Sequence, residues 1–184
     1  RTHILQICRA APSAAAGALL AGLARGAFWG LGAVYAASLG LDRAGIGTFM
    51  AVTILGGAAL QLPIGRLSDR GDRRSTLAVV AALGSVTAML ALRVEAATPA
   101  GMHALFFLFG GLAFALYPLA VAHLLDRLPA EQLLSGCSAL LLLNGIGAAA
   151  GPALAGVLMQ RFGATALPAF FACALAMRRF RVSA

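Results

Sequence analysis

The chain has no lysine, a single asparagine, a single tryptophan and only six acidic residues among 184. Charged residues make up 11% of the total, where a soluble domain carries about 25%. With 61% hydrophobic residues there is too little polar surface to coat a water-soluble domain of this length. The composition therefore points to an integral membrane protein. All six acids, Asp42, Asp69, Asp72, Glu95, Asp126 and Glu131, lie between apolar runs or at their ends. No carboxylate inside a run is available to carry a coupling proton, and no acid pair is placed for hydrolysis. Cys8, Cys137 and Cys173 show no CxxC spacing and no histidine at a useful offset, which argues against a disulfide framework and a metal site. The last two fall inside apolar runs and are expected to be small buried hydrophobes. A phosphate-cradling loop is also missing. Neither an enzyme nor a cofactor is expected.

What is present is oil in long pieces. A spanning helix needs about 20 apolar residues. The stretch 10–41 is apolar but for Arg25, and 44–65, 75–92, 96–125 and 132–160 are uncharged. A last run, 162–177, has 16 residues. Continuous runs without alternating polarity exclude a membrane β-barrel. The expected fold is all-α, a bundle of six transmembrane helices with the sixth marginal in length. Gly22, Gly26 and Gly30 recur every four residues on one face of the first helix, the kind of small-residue stripe that lets helices approach closely in lipid.

Arginine placement sets the expected orientation. With six spans, the termini and the loops after the second and fourth spans share a side. That side holds ten arginines (Arg1, Arg9, Arg66, Arg70, Arg73, Arg74, Arg127, Arg178, Arg179 and Arg181), and the other holds Arg43, Arg93 and Arg161. Basic loops stay inside, so both termini are expected in the cytoplasm. The net charge of +8 therefore reflects a lipid bilayer as partner, not nucleic acid.

The densest charge lies in "PIGRLSDRGDRR", between the second and third spans. Gly65, Leu67, Asp69, Arg70, Arg73 and Arg74 resemble the G-x-L-a-D-r-x-G-r-k loop of the major facilitator superfamily, with Asp72 where glycine is usual. On the fifth helix, Gly147, Gly151, Pro152 and Gly156 resemble the glycine-proline signature of drug and proton antiporters, with Ala155 replacing one glycine. "QLPIGRLSD", "ALYPLAVAH" and "LLLLNGIGAAAGP" together are most similar to the C-terminal half of a bacterial branch of that superfamily. The resemblance implies half of a two-bundle fold in a bacterial inner membrane. Residues 1–12 would be the end of a cytoplasmic linker, 13–177 the bundle, and 178–184 a cytoplasmic tail. The start at Arg1 fits a piece of something longer. An N-terminal half would also place a charged loop after its second helix.

Physical chemistry assigns the charged loop a role as well. A carboxylate at Asp69 can accept from the free N–H groups of a helix start. Arg70, Arg73 and Arg74 can pair with acids at neighbouring helix ends, where Asp126 and Glu131 flank Arg127. Such pairs form a conformational latch; the resemblance implies that it stabilises an outward-open state. The plainer alternative is that the arginines anchor topology beside anionic lipid.

Inside the spans, Arg25 is the one charge, and mid-span charges tend to mark function. Trp29, one turn on, is placed to stack on its guanidinium. Asn144 is expected to hydrogen-bond between helices or to contact solute. Tyr117 precedes Pro118, where a kink is expected. Arg25, Trp29, Tyr117 and Asn144 are thus the candidate cavity lining, while His103 and His123 read as interfacial. The expected function is that of a secondary transporter half moving a small solute by alternating access, possible proton-coupled efflux included. It would work with a missing six-helix half or a second copy. The competing reading is a non-transporting membrane scaffold or an inert gene fragment.

Overall fold

The computed structural model describes residues 11–94 and 99–176. The linker end with Arg1, Cys8 and Arg9, the acid Glu95, and the tail with Arg178, Arg179 and Arg181 lie outside the described residues. Among the described residues six α-helices follow in order: α1 (Pro12–Ser38), α2 (Arg43–Arg70), α3 (Arg73–Val94), α4 (Pro99–Leu125), α5 (Leu133–Phe162) and α6 (Ala166–Ala176), with a 3-10 turn at Ala130–Gln132. Among the described residues α1 to α5 are long and apolar enough to cross a membrane. α6 spans 11 described residues.

The helix ends follow local chemistry. α1 opens on Pro12, whose missing N–H is no loss at a first helical position. Asp42 caps α2 by accepting from the Gly45 amide at 2.8 Å. Gly163, at φ 83°, closes α5 in a left-handed conformation that a side chain would disfavour.

Side by side, α5, α1, α4 and α2 form one layer in that order, and α6 and α3 pack behind it. The core is aromatic where α1, α2, α4 and α6 converge: Phe49 meets Phe106 at 4.5 Å between ring centroids, and Phe109 stacks on Phe171 at 4.6 Å. Glycine brings the front layer together. A Cβ on Gly22 or Gly26 would run into the α5 backbone at Asn144 and Ala148, and one on Gly30 into Pro152. Reciprocally, a Cβ on Gly147 or Gly151 would meet the α1 backbone at Leu19 and Leu23. The four-residue glycine repeat of α1 and the glycine-proline segment of α5 are two sides of one seam. Gly156 lies beyond it, where an added Cβ would meet only Leu31 Cδ1, at 3.9 Å.

The charged motif proves to be mostly helix. α2 continues through Gly65, Leu67, Asp69 and Arg70, so the connection to α3 is only Gly71 and Asp72. The helix runs through Pro63 and Gly65 and stops at Gly71; a helix has no reason to stop where its apolar residues end.

Candidate functional site

At the charged end of the bundle, Arg73 is the first residue of α3 and faces two carboxylates. Its Nη1 lies 2.8 Å from Asp69 Oδ1, one turn earlier on α2, and its Nε lies 2.5 Å from Asp126 Oδ2, just past α4. One guanidinium thus joins the ends of three helices. Its planar fork suits this, since separate N–H groups point to separate acceptors. The pairs are partly solvated, with the Asp69 and Asp126 side chains 62% and 53% exposed. Gln61, Asp69, Arg73 and Pro118 border a cavity of about 160 Å³ between α2 and α4.

Asp69 itself does not cap a helix; it lies within α2 and its partner is Arg73. The cap is Asp72, the residue that departs from the family pattern. It accepts from the Ser75 hydroxyl at 2.6 Å and from the amides of Ser75 and Arg74 at 2.9 and 3.2 Å. These bonds, the Ser75 hydroxyl first, hold the Asp72 carboxyl below the usual carboxylate range. An Asp three residues before a Ser at a helix start is a capping pattern that the sequence displayed. Arg70, Arg127 and Glu131 are exposed and make no ion pair among the described residues. Leu67 is exposed, and an added Cβ on half-buried Gly65 would meet open space.

The second polar group sits at mid-bundle. Arg25, near the midpoint of α1, donates from Nη2 to Asn144 Oδ1 on α5. Buried Asn144 in turn donates from Nδ2 to the Ala18 carbonyl at 2.9 Å, tying α5 to α1. The ring under the guanidinium is that of Tyr117 on α4, 5.8 Å from Cζ to centroid, and not that of Trp29. Trp29 is 56% exposed and leans edge-on against Phe28 at 5.9 Å. Spacing on α1 allowed Trp29 the stacking place; α4, packed against α1, brings the Tyr117 ring to it instead. Pro118 lies inside α4, which runs through it.

A contact the sequence gave no hint of joins Ser13 at the start of α1 to His123 near the end of α4, with Oγ and Nε2 2.8 Å apart and both side chains buried. His103 Nε2 is buried without a hydrogen-bond partner among the described residues. The cysteine expectation needs correcting. Cys137 is half-buried and Cys173 exposed, because Cys173 opens onto an apolar cavity of about 440 Å³ bordered by Leu23, Leu92, Leu158 and Phe170. Neither is sealed in the core. The described residues contain no cluster of histidine, cysteine and acid that would hold a metal.

A membrane-length helical layer with a charged motif running from the end of its second helix into its third defines a class, and the family comparison agrees with it. The profile of the Major Facilitator Superfamily matches residues 14–178, and the chain belongs to that family. It is thus a multi-pass membrane protein of a transporter family, with no place among enzymes. The chain is 36% identical over 149 residues to proteins named uncharacterized MFS-type transporter YcaD, from Salmonella paratyphi B, Salmonella newport and Salmonella enteritidis. Each alignment covers 79% of this chain and 37% of the relative. The chain therefore aligns with little more than a third of the length of the curated relatives it matches. No solved structure matches it.

Proposed function

We propose that this chain forms a six-helix half of a secondary transporter that moves a small solute across a bacterial inner membrane by alternating access. It corresponds to the C-terminal bundle, has both termini cytoplasmic, and works against a second bundle. Transporters of this build carry solute between two bundles that rock about a central site. Family membership and the transporter relatives support the class. The observation that carries the mechanism is the double pairing of Arg73 with Asp69 and Asp126 at one corner of the bundle. Three helix ends held by one half-buried guanidinium form a unit that moves as a body, with Arg70 and Arg127 left over to meet the other bundle. Mid-bundle, Arg25, Asn144 and Tyr117 contribute to the solute site.

The test uses the full-length protein with one spin label at Arg66→Cys and another at the cytoplasmic end of the companion bundle. Two distance populations are expected, and Arg73→Gln should shift the balance towards the open one. A single distance, unchanged by Arg73→Gln, favours the scaffold reading and removes the latch. Side-specific labelling tests the topology: Arg73→Cys should react only from the cytoplasm and Arg43→Cys only from outside.

A further inference from the structure

Arg25 brings a full positive charge to the middle of a membrane-length helix, and the described residues do not neutralise it. Both ion pairs of the described residues belong to Arg73, at the charged end of the bundle. Asp42, Asp69, Asp72, Asp126 and Glu131 all stand at helix ends or in connections. What surrounds the guanidinium is polar but neutral: the oxygen of Asn144 and the face of Tyr117. A guanidinium has five N–H donors, and Asn144 occupies one.

The neutral contacts fix the group in place. Asn144 is buried, and its amide orientation is set by the bond from Nδ2 to the Ala18 carbonyl, which leaves Oδ1 for Arg25. Direction follows from helical spacing. Leu23 borders the apolar cavity shared with α6, and a residue two positions on points to the opposite side of α1. Trp29 follows Arg25 by one turn on the same side and is exposed there. The guanidinium thus stands on a face with an open indole on one side and a half-buried phenol on the other.

Arg25 is half-buried, and an unpaired cation at mid-span, drawn partly out of water, is unfavourable until an anion reaches it. A cationic solute would be repelled at this position, and a neutral one would leave the charge as it was. We propose that the solute is an organic anion with an aromatic body, its carboxylate, sulfonate or phosphate bound by Arg25 and its body lying against Trp29 and Tyr117. The proposal rests on the transporter reading and names the solute class of that same site.

The test titrates the full-length protein in lipid nanodiscs with benzenesulfonate, which stays ionised, and with its neutral analogue benzenesulfonamide. The readout is the part of the tryptophan emission change that disappears in Trp29→Phe. Benzenesulfonate is expected to saturate the change, with the sulfonamide at least about tenfold weaker, the equivalent of one charge-assisted hydrogen bond. Arg25→Gln should erase that preference and Arg25→Lys should reduce it. Equal responses to the two probes, no response to the sulfonate, or an unchanged preference in Arg25→Gln each overturn the proposal. If Arg25→Gln does not fold, the preference in the parent protein and its reduction in Arg25→Lys decide. Uptake of labelled probe into proteoliposomes separates the two readings. Arg25-dependent binding without uptake keeps the anion site and sinks transport. Uptake that does not favour the sulfonate keeps transport and sinks the anion.

Discussion

Arg73, the first residue of α3, lies 2.5 Å from Asp126 just beyond α4, while also holding Asp69 on α2. The contact crosses helices that a reader of the sequence would place in order but not in space. Its energy is modest. Partly exposed ion pairs are worth about 0.2–1 kcal/mol each, so Arg73→Gln, which breaks two of them, should lower the stability of the bundle by no more than about 2 kcal/mol. A double-mutant cycle of Arg73→Gln with Asp126→Asn, read by thermal unfolding in detergent, checks it. A coupling well above that range would mean that the corner carries fold stability rather than a reversible contact.

The α1–α5 seam predicts a sharp contrast between glycines on one helix. Gly151→Ala puts a methyl into the α1 backbone at Leu23, and overpacking of that kind costs about 1–3 kcal/mol. Gly145→Ala and Gly156→Ala, where the new Cβ meets open space or ordinary contact, should leave the melting temperature nearly unchanged. Equal losses at all three would mean that α1 and α5 do not pack in this register.

Asn144→Asp is the complement of the Arg25 experiment. A carboxylate at that position pairs with the guanidinium from within the chain, so the response to benzenesulfonate should fall by about tenfold or more. Asn144→Leu removes the acceptor without adding charge, and should keep the sulfonate preference while loosening α5 from α1. Retained sulfonate binding in Asn144→Asp would place the probe away from Arg25.

The cap at Asp72 gives a pH signature. Hydrogen bonds from Ser75 and Arg74 lower its carboxyl pKa below the ordinary value of 3.8. A depressed pKa means that the cap's contribution is fully present above the ordinary carboxylate value and is lost as pH falls through the lower, folded one. Hydrogen exchange at the start of α3, measured down to strongly acid pH, should show the amides of Arg74 and Ser75 losing protection there. In Asp72→Ala they should be unprotected at every pH. Protection that does not vary with pH and survives Asp72→Ala would show that the carboxylate is not the cap.

Much of the architecture was written in the order of residues. Long charge-free runs leave the backbone one way to satisfy its hydrogen bonds in lipid, so α1 to α5 were legible as helices. The glycines at 22, 26 and 30 announced a close approach, because only small residues tolerate it, while those at 147 and 151 were read only as a family signature. Their being each other's partners was invisible, since spacing describes one helix at a time. The same limit explains Arg25. Its mid-span position was plain, but whether Trp29 or Tyr117 takes the ring position depends on how α4 is set against α1. The end of α2 was misjudged because hydropathy marks where oil stops, and the helix runs on until Gly71. Asp72 and Ser75 carried a capping pattern that the family resemblance masked as a mere departure. Ser13 with His123, and the choice of Asp126 over Glu131 as the acid that meets Arg73, were decided by tertiary structure alone: each contact exists because two helix ends distant in the chain come together, and a linear pattern holds no record of that distance.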